Sequence, residues 1–305
     1  MGSIGRQSGS FPAGWFQVAW SAELGVSTVL SVRYFGRDLV VFRDGVGAPR
    51  VLDAYCPHMG AHLGHGGEVV EGTLRCPYHG WRWDGDGVNV EIPYGANTTV
   101  RARVECWPAV EVGSFVYVWH HPAGEPPSWD PPSFVEDGGE GFFAAWPEAV
   151  HLERVTMDAR ALAENTADGV HLAVVHRWVD VPEFLECESK DHVFHTVFRG
   201  AMSTPRGPMV ETIGNDCHGL GIVVGFMEGL RNVVIFGNST PVDPGVCDVR
   251  LTMLIQRGPD EDEKFSRTAK AIVSAQIREI LGPEGDRRIW ENMRVPERPL
   301  VVSGE

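Results

Sequence analysis

Two short stretches, Cys56-Pro57-His58 and Cys76-Pro77-Tyr78-His79, decide how this chain is read. Each offers one soft thiolate and one imidazole, and seventeen residues separate them. Four cysteines would suit a plain iron–sulfur cluster or a structural zinc, but two Cys with two His leave a choice of metal. Zinc fingers keep their cysteines in one clamp and their histidines in the other. Here each clamp is mixed, which suits a two-iron centre whose first iron takes both thiolates and whose second takes both imidazoles. A Cys2His2 zinc site is the competing reading. Gly60, Gly64, Gly66, Gly67 and Gly80 let backbone amides approach the sulfides of such a centre. His62 and His65 match neither clamp and are expected at the surface or behind the ligands. Trp81 and Trp83 are expected to shield the centre or to fill a small core.

Working outward, the clamps sit among short runs of strand composition. Val29–Val32, Leu39–Phe42, Pro49–Leu52 and Ser114–Trp119 alternate with Asp44-Gly45, Gly66-Gly67, Asp84-Gly85 and Asp86-Gly87, the dipeptides of tight turns. Residues 1–121 therefore read as an all-β domain. Residues 122–141 crowd Pro122, Pro126-Pro127, Pro131-Pro132 and Gly138-Gly139 into a connector outside regular structure. Residues 142–305 mix element types and read as α+β, an antiparallel sheet with helices. A helix is expected from Asp158 to Val175, then strands at His192–Arg199, Gly221–Phe226, Asn232–Phe236 and Asp248–Ile255. Phe265, Ala269, Ile272, Val273, Ile277, Ile280 and Leu281 recur at helical spacing, and Gly282-Pro283-Glu284-Gly285 ends that helix.

A second constellation lies in the first of those helices. Glu164-Asn165-Thr166-Ala167-Asp168-Gly169-Val170-His171-Leu172-Ala173-Val174-Val175-His176 spells Asn-x2-Asp-x2-His-x4-His. On a helix Asn165 and Asp168 share a face, as do Asp168 and His171. His171 and His176 are five apart, so they converge on one metal only where the helix ends or distorts before the second. Two histidines with one carboxylate and open positions suit non-haem Fe(II) that activates oxygen. The bland alternative is a pair of surface histidines.

Composition narrows the function further. The chain has 305 residues, 43% of them hydrophobic and 22% charged, with a net charge of −15. An acidic surface of this size repels phosphate backbones, which disfavours nucleic-acid binding. No apolar run reaches the ~18 residues of a membrane helix, and the first residues contain no continuous apolar core of a signal peptide. A cytoplasmic protein is expected. Cys106, Cys187, Cys217 and Cys247 have no metal-binding company and read as buried or half-buried free thiols. Gly219-Leu220-Gly221 lacks the remaining glycine of a dinucleotide turn, so electrons must come from elsewhere.

With both motifs in this order, the chain resembles the oxygenase component of Rieske non-haem iron oxygenases, in the group of 3-ketosteroid 9α-hydroxylase and its sterol-desaturase relatives. The supporting strings are Leu39-Val40-Val41-Phe42-Arg43-Asp44, Val51-Leu52-Asp53-Ala54-Tyr55-Cys56, Trp81-Arg82-Trp83, Ile92-Pro93-Tyr94, Thr240-Pro241-Val242-Asp243 and Ile289-Trp290-Glu291-Asn292. The resemblance implies a [2Fe–2S] cluster on Cys56, His58, Cys76 and His79, and a mononuclear Fe(II) on His171, His176 and a downstream Asp. Asp286, just before Ile289-Trp290-Glu291-Asn292, fits that third position, with Glu284 and Glu279 in reserve. The bland alternative for Asp286 is a helix cap.

The resemblance further implies a homotrimer that takes electrons from a separate reductase or ferredoxin. Asp168 would bridge His79 of one subunit and His171 of the next, with Asn165 beside it. O2 and a small hydrophobic substrate, steroid-like or polycyclic, would be consumed in hydroxylation; desaturation or N/O-demethylation are variants of the same chemistry. Trp178, Phe184, Phe226, Met227 and Phe236 are the pocket candidates. A non-catalytic Rieske electron carrier is the rival from another class, and it leaves the second motif without a purpose.

Overall fold

The computed structural model describes residues 11–95, 100–133, 150–204, 207–228, 232–256, 281–282 and 285–294, together with Lys264, Arg267 and Ala271. The chain divides into two compact units, residues 13–133 and the remainder. Of the Pro/Gly-rich connector, residues 134–141 lie outside the described residues.

Among its described residues the first unit holds three antiparallel sheets. One orders β1 (Gly14–Trp20), β11 (Phe115–His120) and β10 (Ala109–Val112). A second orders β2 (Leu30–Tyr34), β3 (Arg37–Arg43), β4 (Pro49–Asp53) and β9 (Cys106–Trp107). The third orders β5 (Glu68–Val70), β6 (Thr73–Arg75), β7 (Arg82–Trp83) and β8 (Asn89–Glu91). The Asp-Gly turns follow one design. Asp44 Oδ1 accepts from the N–H groups of Val46 and Ala48 at 3.0 and 2.9 Å, and Asp84 Oδ1 from those of Asp86 and Val88 at 3.0 and 2.8 Å. A carboxylate that gathers the amides of its own turn stabilises the reversal locally. Val40, Phe42, Leu52, Leu63, Leu74 and Trp83 form a core with the two clamp cysteines inside it.

The second unit is a seven-stranded antiparallel sheet in the order β12 (Val150–Thr156), β18 (Val246–Ile255), β17 (Val233–Asp243), β16 (Ile222–Glu228), β15 (Gly207–His218), β14 (Val193–Thr204), β13 (Glu183–Lys190). Short helices accompany it, as expected of an α+β domain. One face carries Val223, Val249, Leu251, Met253 and Cys217, packed with Ala161, Leu162 and Trp290 from helical segments. The helix expected from Asp158 to Val175 is two helices, α1 (Ala161–Asn165) and α2 (Gly169–Val174). The break has a local cause: Asp168 adopts an extended backbone (φ −107°, ψ 93°) and caps α2, accepting from His171 N–H at 3.1 Å. An Asp in mid-segment competes for backbone donors and starts a new helix instead of continuing the old one.

Three further expectations need adjusting. Phe226 and Phe236 lie on the sheet face opposite Met227 and Ile235, because successive strand residues alternate; as pocket candidates they are removed from the α1–α2 side. Cys106 and Cys187 are exposed, on edge strands, whereas Cys217 and Cys247 are buried. Lys264, Arg267 and Ala271 are helical, but the apolar positions Phe265, Ala269, Ile272, Val273, Ile277 and Ile280 lie outside the described residues. So do Glu279 and Glu284. No helix among the described residues is long and apolar enough to cross a membrane.

Candidate metal centres

The two clamps fold into matching loops. Gly60 N–H donates to Cys56 O at 2.8 Å and Gly80 N–H to Cys76 O at 3.1 Å; Cys56 N–H donates to Ala61 O at 2.9 Å and Cys76 N–H to Trp81 O at 2.8 Å. Gly60 and Gly80 close these turns at φ +75° and +74°, where a side chain would be strained. Cys56 and Cys76 are 1% and 3% exposed. The His58 and His79 rings lie 4.7 Å apart, and Trp81 stacks on His58 at 4.2 Å. The buried Nδ1 atoms of His58 and His79 both lack a hydrogen-bond partner. Burial pushes the Cys56 thiol up, with Cys76 beside it. Two crowded thiols and two orphaned imidazole nitrogens are short of a cation, and this donor set fits a cluster with one thiolate-bound and one imidazole-bound iron. His62 and His65 pair with each other at 4.2 Å between ring centroids.

In the second unit α2 ends at Val174, and the turn after it is wide: His176 N–H donates to His171 O, five residues back, at 3.4 Å. The next residue, Arg177, has φ +57°. This distortion brings the His171 and His176 rings to 5.3 Å between centroids, at 78° to each other. Asp286, the first residue of α3 (Asp286–Trp290), meets them: its Oδ1 lies 3.1 Å from His176 Nε2. One donor atom from each of His171, His176 and Asp286 lies within 4.8 Å of the others. Asp286 is 4% exposed and is not the helix cap; Gly285 occupies that position. A carboxylate and two imidazoles gathered this closely, the carboxylate buried and the imidazoles half-buried, fit a divalent metal of the two-histidine, one-carboxylate type.

Around this triad, Asn165 Nδ2 donates to Asp286 Oδ2 at 3.3 Å. Asp168 stays outside the triad: its Oδ2 lies 3.8 Å from His171 Nδ1, and half of its side chain faces outward. His171 Nδ1 also meets the Asp168 carbonyl oxygen. A cavity of about 200 Å³ opens here, lined by Glu164, Asp168, His171, Val175, Asp286 and Trp290 among others. Sequence reading missed the strut beneath the helix break. Thr196 Oγ1, fully buried on β14, donates to Thr166 O at 2.9 Å, and Thr166 Oγ1 meets Cys217 Sγ at 3.1 Å.

Comparison with known proteins agrees with this picture. Residues 14–108 match the Rieske [2Fe-2S] domain, and residues 118–305 match the 3-ketosteroid 9alpha-hydroxylase C-terminal domain. Cholesterol 7-desaturase nvd 1 of Ciona intestinalis is 39% identical over 166 residues, covering 54% of this chain and 35% of that protein. A probable 3-ketosteroid-9-alpha-monooxygenase oxygenase component of Rhodococcus rhodochrous is 27% identical over 321 residues, 98% of this chain and 77% of that protein. The chain thus spans about a third of the length of the first of these relatives. NdmA of Pseudomonas putida, solved with caffeine, shares the fold at a TM-score of 0.72 and 20% identity, over 94% of this chain and 85% of its own. Dicamba monooxygenase bound to dicamba does so at 0.69 and 21%, over 91% and 86%. The chain belongs to the Rieske oxygenases, in the family of the 3-ketosteroid 9α-hydroxylases.

Proposed function

We propose that this chain is the oxygenase component of a monooxygenase that hydroxylates a hydrophobic, steroid-like or polycyclic substrate. The observation that carries the reading is the meeting of His171, His176 and Asp286 within 4.8 Å beside a cavity, in a chain that also holds the paired Cys-His loops. When bound, the [2Fe–2S] cluster supplies electrons singly and the mononuclear iron supplies the place where O2 is activated. Cys56, Cys76, His58 and His79 hold the cluster, and His171, His176 and Asp286 hold the iron. Asn165 holds Asp286 from behind, fixing which carboxylate oxygen faces the histidines. Asp168 holds the His171 ring through its carbonyl oxygen, and its half-exposed carboxylate beside that ring is open to a neighbouring subunit.

The division of labour follows the chain: cluster in residues 1–121, connector in 122–141, mononuclear iron in 142–305. A cytoplasmic homotrimer served by a reductase or ferredoxin completes the reading. Desaturation is the second outcome to consider, favoured by the 39% identity to a protein described as a cholesterol 7-desaturase. An electron carrier would need none of the residues that surround Asp286. Reconstituted protein should hold roughly three irons per chain, two in the cluster and one beyond it. With a surrogate reductase it should couple O2 uptake to an oxidised polycyclic product. Cys56→Ser or His79→Ala should abolish the Rieske-type paramagnetic signal. About two irons and no coupled uptake would leave only the carrier.

A further inference from the structure

The sheet face that carries Thr196 and Cys217 toward α1 is mainly apolar, with Thr196, Asn215 and Ser239 as buried neutral polar side chains. Ile213, Met227, Val233 and Ile235 are half-buried along it, aligned by the pairs Ile213 with Met227 and Met227 with Val233. Glu211 stands two residues before Ile213 on β15, hence on the same face. Among the described residues of that face it is the one charged side chain. It is 7% exposed, and its Oε2 has no hydrogen-bond partner. Burial holds its carboxyl above the ordinary glutamate value. Buried polar atoms are nearly always paired, and no group among the described residues pairs with this oxygen, so its partner comes from outside them, as a ligand's polar group would. A mainly apolar wall with a few well-placed polar groups is also the usual make-up of a small-molecule site.

Register ties Glu211 to the metal triad. It pairs with Gly200 on β14. Gly200 lies under Trp178: a Cβ there would be 2.9 Å from the Trp178 ring and 2.9 Å from Pro182. Trp178 follows His176 by two residues, and its N–H donates to Leu172 O at 3.1 Å. Farther along β15, Asn215 Nδ2 donates to Thr196 Oγ1 at 3.4 Å, and Thr196 Oγ1 in turn holds Thr166 O, next to Asn165. Four strand residues separate Glu211 from Asn215, roughly 13 Å. That span suits a fused-ring skeleton better than a single ring.

We propose that Glu211 fixes the far end of the substrate by accepting a hydrogen bond from a hydroxyl group, so that polycyclic alcohols are selected over the corresponding ketones. The inference rests on the apolar-substrate oxygenase reading and adds the polar handle to it. A hydroxyl donates to a carboxylate and accepts from a carboxylic acid, so it pairs with Glu211 in either protonation state. A ketone accepts only, so it can pair with the carboxylic acid but faces lone pairs on the carboxylate, whereas the alcohol pairs with both. An ammonium would bring a second charge into an apolar wall, at a desolvation cost that a neutral hydroxyl avoids. A site built around a hydroxyl rejects the analogue that lacks it, because the buried partner is left unpaired.

The test uses the metal-loaded enzyme with three compounds of one steroid skeleton, bearing a 3-hydroxyl, a 3-ketone or hydrogen at that carbon. Equilibrium binding should favour the alcohol over both others by roughly tenfold or more. Glu211→Leu should erase that preference, raising KM for the alcohol while kcat changes little; Glu211→Gln, which keeps an acceptor, should retain part of it. Equal binding of all three to the unaltered enzyme would overturn the proposal without any variant. So would an alcohol preference that survives in a Glu211→Leu protein with full iron content. If the unaltered enzyme binds and oxidises none of the three, the steroid-like reading falls together with Glu211. If it oxidises all three with equal Kd, only Glu211 falls.

Discussion

Asp168 holds two positions at once, and one substitution separates them. Its Oδ1 caps α2 while its Oδ2 stands 3.8 Å from His171 Nδ1. Asn caps a helix about as well as Asp, so Asp168→Asn should leave the melting temperature and both metal contents unchanged. The amide nevertheless loses the negative charge and one acceptor beside the imidazole. Product formation should drop by roughly tenfold or more, and single-turnover rates near wild type would rule out a role for the Asp168 carboxylate beside His171. Asp286→Ala removes one of three proposed ligands. Iron beyond the cluster should be lost while the Rieske signal persists, a split that metal analysis with paramagnetic resonance reads directly. The clamps were legible in the sequence because each puts its donors within three residues of each other. The bond from Asn165 to Asp286 was not, since the two are 121 positions apart in the chain and only the fold brings them together. Glu211 was equally silent, a lone acid in a strand whose alternation gives no hint of which face is covered.

Elements were legible where local chemistry acts alone. β3 and β4 flank the Asp44-Gly45 turn and β11 follows the turn at Gly113, and each forms within two residues of its expected bounds. β15 went unseen because Gly207, Pro208 and Gly214 imitate turn signals, and β13 because Glu183–Lys190 is exposed along its whole length and shows no apolar alternation. The long strand β14 supplies the pairing for both, and that is tertiary information. The Asp86-Gly87 turn allows a direct test of element geometry. Gly87 has φ +71°, and a Cβ on it would lie 1.9 Å from Val104 O. Gly124 has the same φ with nothing within 4 Å. Gly124→Ala should therefore cost only the backbone strain, about 1 kcal/mol. Gly87→Ala should cost more than about 2 kcal/mol, because strand β8 must shift as well. Thermal bleaching of the cluster's visible absorbance would rank the two; equal midpoints would contradict the close approach.

For the molecule as a whole, 41 acidic against 26 basic residues make stability depend on pH. In the first unit Arg43 on β3 grips Glu111 on β10 with two bonds, 2.6 and 2.9 Å, and so joins two sheets. Arg43 holds the Glu111 carboxyl below its ordinary 4.5, and Ser21 contributes. A carboxyl depressed in the folded state stabilises above its unfolded value and stops doing so as pH falls through the folded one. Glu111→Gln should thus cost about 1–2 kcal/mol at neutral pH. The gap to wild type should close as pH drops below about 4.5. Melting midpoints of both proteins between pH 7 and 3 would show whether the curves converge.

The position of the donor triad in the chain has a consequence for how the protein is assembled. His171 and His176 precede β13, and Asp286 follows β18, so all six strands from β13 to β18 lie between the histidines and their carboxylate. Bringing those ends together closes a loop of more than a hundred residues, whose entropy must be offset by the sheet itself. Before the sheet exists, the three donors are strangers in a fluctuating chain and hold an ion no better than any scattered histidines. A metal held by this triad would therefore enter only after the sheet has formed, and its uptake would report that the strands enclosed by the loop have found their order.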